Sequence, residues 1–138
     1  MAMPMGGGYH ASKWALEGLS ESLAQEVAAF GIKVTLVEPG SYATEAIAGA
    51  VQADADPLYQ GLREGFAEAA KALDEADPAA AGQALLRLVD AENPPLRVFF
   101  GRHGNDMLPQ IYADRLGSWQ AWQDLAEAAH GAGSGAVR

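Results

Sequence analysis

Apolar residues recur at helical spacing early in the chain. Leu16, Leu19, Leu23, Val27 and Phe30 stand at i, i+3, i+7, i+11 and i+14, one face of a helix. The pattern predicts a helix over 10–30, stopped by Gly31. Residues 32–37 then read as a strand, and their near-continuous apolar content suggests burial on both faces, as in a parallel sheet. Pro39-Gly40 ends it. Residues 57–73 predict a second helix with Leu58, Leu62, Phe66 and Ala69 inward. Asp77-Pro78 supplies an N-cap and a first residue for a third helix, running to about Ala91 with Leu85, Leu86, Leu88 and Val89 on its apolar side. Asn93-Pro94-Pro95 breaks it, and residues 96–100 predict a second strand closed by Gly101. Residues 106–129 read as a helical tail with Leu108, Ile111, Tyr112, Leu116, Trp119, Trp122 and Leu125 as its apolar content, followed by a flexible end.

Helix, strand, insert, helix, strand is an α/β order. Two strands do not make a stable sheet alone. A strand of the buried type therefore calls for partner strands beyond these two. With 138 residues and 49% apolar content the chain is expected to fold around a core. A net charge of −9 argues against nucleic acid and against an anionic membrane surface. No apolar run approaches bilayer length. There are no cysteines, and His10, His103 and His130 lack metal-ligand spacing, so no metal site is expected. These features point to a cytoplasmic protein.

Two local patterns carry chemistry. Tyr9 and Lys13 lie one helical turn apart. An ammonium near a phenol favours the phenolate, which makes tyrosine a usable acid/base. On a helix surface the same pair is often only solvated. Downstream, Pro39 fixes the chain as it leaves the strand, and Gly40 lets backbone approach a flat ring. In open α/β sheets ligands bind beyond the carboxyl ends of the strands. Gly6-Gly7-Gly8 follows no strand and lacks dinucleotide-loop spacing; a loop admitting substrate to Tyr9 is the better reading.

The run Tyr9-His10-Ala11-Ser12-Lys13-Trp14-Ala15-Leu16-Glu17-Gly18, with Pro39-Gly40 and Thr44 after the strand, resembles the short-chain dehydrogenase/reductase family. The likeness is specific over 5–45 and looser to about residue 101. It implies an NAD- or NADP-dependent oxidoreductase for an alcohol/carbonyl pair, with Tyr9 as general acid/base. Lys13 would assist it and hydrogen-bond the nucleotide ribose. It also implies that Pro39 and Gly40 line the nicotinamide, that backbone at Tyr42 meets its carboxamide, and that Thr44 bonds there or to a phosphate. Such a site needs a cleft between the tyrosine–lysine pair and the proline–glycine corner.

The resemblance further implies a fold: the C-terminal part of a Rossmann-type doubly wound parallel sheet, lacking the N-terminal dinucleotide-binding strands. Residues 1–101 would be the C-terminal half of the oxidoreductase domain, with 41–76 as a substrate lid, and 102–138 a helical tail. The family's asparagine and serine would lie upstream of the eight residues before Tyr9, so this chain alone is expected to turn over poorly. Ala46, Ile47, Val51, Leu58, Tyr59 and Phe66 suggest an apolar small-molecule substrate. A homo-oligomer through the 10–30 helix is implied, with Trp14 at that interface or in the core. Glu21, Glu26, Glu64 and Glu68 read as a solvated face. The competing class is a non-catalytic binding or dimerisation module. A third reading is a helical interaction protein with 32–37 as plain core.

Overall fold

A computed structural model describes residues 2–45 and 54–131. The order is α1 (Gly7–Val27), a 3-10 turn (Ala28–Phe30), β1 (Leu36–Pro39), a 3-10 turn (Pro57–Tyr59), α2 (Gln60–Ala70), α3 (Pro78–Val89), β2 (Arg97–Phe100), α4 (His103–Ala121) and α5 (Gln123–His130). The architecture is α/β, and β1 pairs with β2 in parallel, Leu36 opposite Arg97 and Pro39 opposite Phe100. A parallel bridge joins Tyr42 to Ala76 beyond the strand ends.

Local chemistry sets most boundaries. Gly31 ends the first helical run in the left-handed region, φ 72°, its N–H donating to Ala28 O. Asp77 caps α3 by accepting from Ala79 N at 2.9 Å, with Pro78 at the first position. Asp56 caps the 57–59 turn in the same way, accepting from Leu58 N.

Three expectations are corrected. The first helix starts at Gly7, not residue 10, so Gly7 and Gly8 are helical and the loop ends at Gly6. The first strand is Leu36–Pro39 rather than 32–37. Its partner begins only at Arg97, because Pro94 and Pro95 have no N–H to offer a ladder. Residues 32–35 are tied instead by side chains: Thr35 Oγ1 donates to Pro95 O at 2.8 Å, and Lys33 Nζ donates to Glu92 O. The tail is two helices, broken at Trp122 (φ −111°, ψ 18°), whose N–H turns back to Trp119 O and Gln120 O.

The apolar faces read from the sequence are largely uncovered. Leu36, 9% exposed, is the one buried hydrophobic residue among those described. Leu16, Leu19, Leu23, Leu58, Leu62, Phe66, Trp119 and Trp122 are all exposed. The chain presents 11336 Å² to solvent, whereas a compact monomer of its mass would present about 6,800 Å². Two short strands cannot cover the helices that surround them. Trp14 lies neither in a core nor free, since the Arg115 guanidinium sits over its ring at 5.2 Å and over Tyr112 at 5.6 Å, linking α1 to α4.

Candidate active site

The first turns of α1 carry Tyr9 and Lys13 on one face. Lys13 Nζ lies over the Tyr9 ring, 5.5 Å from its centroid. The ammonium meets the ring face rather than the hydroxyl, and among the described residues it has no carboxylate partner. Tyr9 is 64% exposed. Its ring meets His10 edge-on at 5.5 Å. His10 is itself held, because Nε2 accepts from Met3 N at 3.1 Å. A Cβ on Gly6 would come within 2.7 Å of that nitrogen, so a larger residue there would have to displace the His10 ring. Ser12 Oγ donates to Tyr9 O at 2.7 Å and is thereby committed to the helix backbone.

The second group lies at the carboxyl ends of the strands. Gly40 N donates to Phe100 O at 2.7 Å, continuing the ladder past Pro39. Gly101, φ 122°, runs beside it: a Cβ there would sit 3.6 Å from Gly40 Cα. Ser41 O accepts from Ala76 N at 2.9 Å and Ala43 N donates to Ala76 O at 3.1 Å, which pins Tyr42. These residues open on a cavity of about 580 Å³, lined by Gly40, Tyr42, Ala76, Ala80, Phe99 and Arg102 among others. That volume suits a small organic ligand. Its lining mixes alanines and the Phe99 and Phe100 rings with Ser41, three acids (Asp74, Glu75 and Asp77) and Arg102, which pairs with Asp74 at 3.2 Å.

The structure thus brings Tyr9 to Lys13, and Gly40 to Tyr42, as two separate groups. The cavity at the corner is not lined by Tyr9, Lys13, Pro39 or Thr44. The expected single cleft spanning both groups is not what this cavity provides. Ala46, Ile47 and Val51, expected to line a substrate site, lie outside the described residues. Leu58, Tyr59 and Phe66 are exposed.

Sequence reading missed a charge cluster that ties α1 to the sheet. Arg97 Nε donates to Glu17 Oε2 at 2.8 Å, and its terminal nitrogen donates to Glu21 Oε2 at 2.6 Å. Glu21 is therefore paired, not merely solvated. These hydrogen bonds, first to Glu21 and then to Glu17, raise the Arg97 pKa further. Glu38 on β1 stands beside the cluster. Burial first, then the Glu17 charge, hold its carboxyl above the ordinary range, against the opposing pull of Arg97. The four-residue spacing from Lys13 to Glu17 and Glu21 was visible in the sequence, but nothing marked Arg97 as their partner.

Comparison with known proteins bears on the family and the fold. The short chain dehydrogenase family profile matches residues 1–55. The chain is 31% identical over 123 residues to oxidoreductase BOA17 of Botryotinia fuckeliana, spanning 86% of this chain and 44% of that protein. It is 34% identical over 124 residues to a 3-ketodihydrosphingosine reductase of Bacteroides thetaiotaomicron, again 86% and 44%. A crystal structure of a short-chain dehydrogenase from Streptomyces avermitilis superimposes with TM-score 0.74 at 31% identity, covering 94% of this chain and 48% of that one. The chain therefore spans under half the length of these curated relatives. Among the described residues, no helix is long and apolar enough to cross a membrane.

Proposed function

Because the chain belongs to the short-chain dehydrogenase/reductase family, we propose that it carries the acid/base half of an NAD- or NADP-dependent oxidoreductase site. The observation that carries this reading is the Lys13 ammonium lying against the Tyr9 ring on an exposed helix face. An exposed phenol beside an ammonium with no carboxylate partner among the described residues is a donor set suited to ribose hydroxyls and a substrate oxygen. The residues present thus fit the nicotinamide–ribose end of the nucleotide. When bound, the nucleotide supplies or accepts the hydride.

The chain's own residues handle the proton. Tyr9 gives its hydroxyl proton to the carbonyl oxygen during reduction and takes it back during oxidation. Lys13 stabilises the phenolate left behind. Pro39 and Gly40 would line the nicotinamide, backbone at Tyr42 would meet its carboxamide, and Thr44 would hydrogen-bond there or to a phosphate.

The alanines and the Phe99 and Phe100 rings in the cavity lining support a substrate with an apolar part, and Asp74, Glu75, Asp77 and Arg102 add polar groups to the same lining. A relative named 3-ketodihydrosphingosine reductase supports a ketone. Residues 41–76 serve as the substrate lid, the 10–30 helix as an oligomer surface, and the cytoplasm as the working compartment. A second reading, a non-catalytic binding module, is favoured by the uncovered leucines of α1. Because this chain alone is expected to turn over poorly, slow turnover of a ketone panel with NADH or NADPH that Tyr9→Phe removes marks the acid/base reading, and no turnover by either protein marks the binding module. Tyr9→Phe is expected to lower kcat by about 100-fold or more. Equal turnover by the two proteins would refute the proton role.

A further inference from the structure

Tyr9, Lys13, Glu17 and Glu21 follow one another at four-residue intervals, so they form one stripe along α1. On such a stripe Glu17 is the natural partner of Lys13. It is not the partner found. Glu17 Oε2 accepts from Arg97 Nε at 2.8 Å, Glu21 Oε2 accepts from the same guanidinium at 2.6 Å, and Lys13 Nζ turns the other way, onto the Tyr9 ring. Arg97 has the geometry for this task. A guanidinium can fork between two carboxylates, and its hydrogen bonds to them are charge-assisted. Its backbone is fixed in β2, opposite Leu36. The Glu17 side chain is the less exposed of the two acids, 27% against 52% for Glu21.

We infer that Arg97 is a positioning residue: by engaging Glu17 it keeps that carboxylate off Lys13 and leaves the lysine ammonium to the Tyr9 phenol. The inference rests on the acid/base reading of that pair. Without Arg97, Glu17 would draw the ammonium toward the next helical turn, about 5.4 Å along the axis, and would offset its charge there. Glu38 on β1 is a further charged neighbour of the cluster, and it does not lie on the stripe.

The test is the nuclear Overhauser cross-peak between the Lys13 ε-methylene and the Tyr9 ring protons, measured in this chain without substrate or nucleotide. The strength of an i,i+4 lysine–glutamate pair sets the expected change at about two-fold. Arg97→Met should roughly halve the cross-peak. Arg97→Met with Glu17→Gln should restore it, which a purely structural role for Arg97 would not do. Arg97→Lys keeps the charge but cannot fork between two acids; it should give a smaller loss, and it carries the test if the methionine variant loses its dispersed spectrum. An unchanged cross-peak in the Arg97 variants, or a double variant as weak as Arg97→Met, overturns the inference. A cross-peak absent from the unmutated protein overturns the tyrosine–lysine reading as well.

Discussion

Replacing Gly101 by alanine probes the backbone that holds the proline–glycine corner. Gly101 has φ 122°, a conformation an L-residue adopts only under strain. Holding a residue in such a region costs about 1–3 kcal/mol. The new methyl itself is not the problem, because it would lie 3.6 Å from Gly40 Cα and N, an ordinary contact. Gly40→Ala makes the matched control. Gly40 is not among the positive-φ glycines, and its added Cβ would sit 3.4 Å from Phe100 O. There the contact is mild, and restricting the unfolded chain returns about 0.4–1 kcal/mol. The pair should therefore separate: Gly40→Ala within about 1 kcal/mol of the parent, Gly101→Ala lower by about 1–3 kcal/mol. For a chain of this size that is roughly 3–10 °C in Tm. Thermal unfolding followed by far-ultraviolet circular dichroism would measure both. If Gly101→Ala melts no lower than Gly40→Ala, the left-handed conformation is not a constraint on this corner.

Asp77→Ala should cost about 1 kcal/mol, because it removes the acceptor for Ala79 N at the start of α3; urea unfolding against Asp77→Asn, which keeps a capping oxygen, checks it. Glu38 gives a pH signature. Its carboxyl is raised in the fold, so the folded state binds that proton more tightly than the unfolded chain. Its contribution to stability is present below the ordinary value of 4.5 and is lost as pH rises through the raised value. Glu38→Gln should therefore match the parent at the acid end and become the more stable protein above that window, read as urea midpoints across pH.

The legible parts of the fold were those set by local chemistry. Asp77-Pro78 announces α3 because an N-cap and a fixed φ act within three residues. Gly31 announces the end of the first helical run for the same reason. Parallel pairing of the strands was readable from the apolar run before Pro39. The register was not, since it depends on how a segment some sixty residues away is brought alongside, Leu36 opposite Arg97. Helical spacing placed Leu16, Leu19 and Leu23 on one face but could not say that nothing described here covers them. The face of α1 tied to the sheet is the one bearing Glu17 and Glu21, and it becomes visible only when Arg97 is brought up by β2. Gly104 likewise gave no signal, although a Cβ there would fall 2.7 Å from the Phe99 ring. Tyr9 and Lys13 were readable because they are neighbours in sequence as in space. Their distance from the corner at Gly40 was not.

The most direct test is where a nicotinamide nucleotide sits on this protein. In a solution complex with NADH or NADPH, cross-peaks should run from the nicotinamide ring protons to the Tyr9 ring and to the Gly40 α-protons. A nucleotide that binds with cross-peaks to neither, or with contacts confined to residues remote from both, would contradict the account.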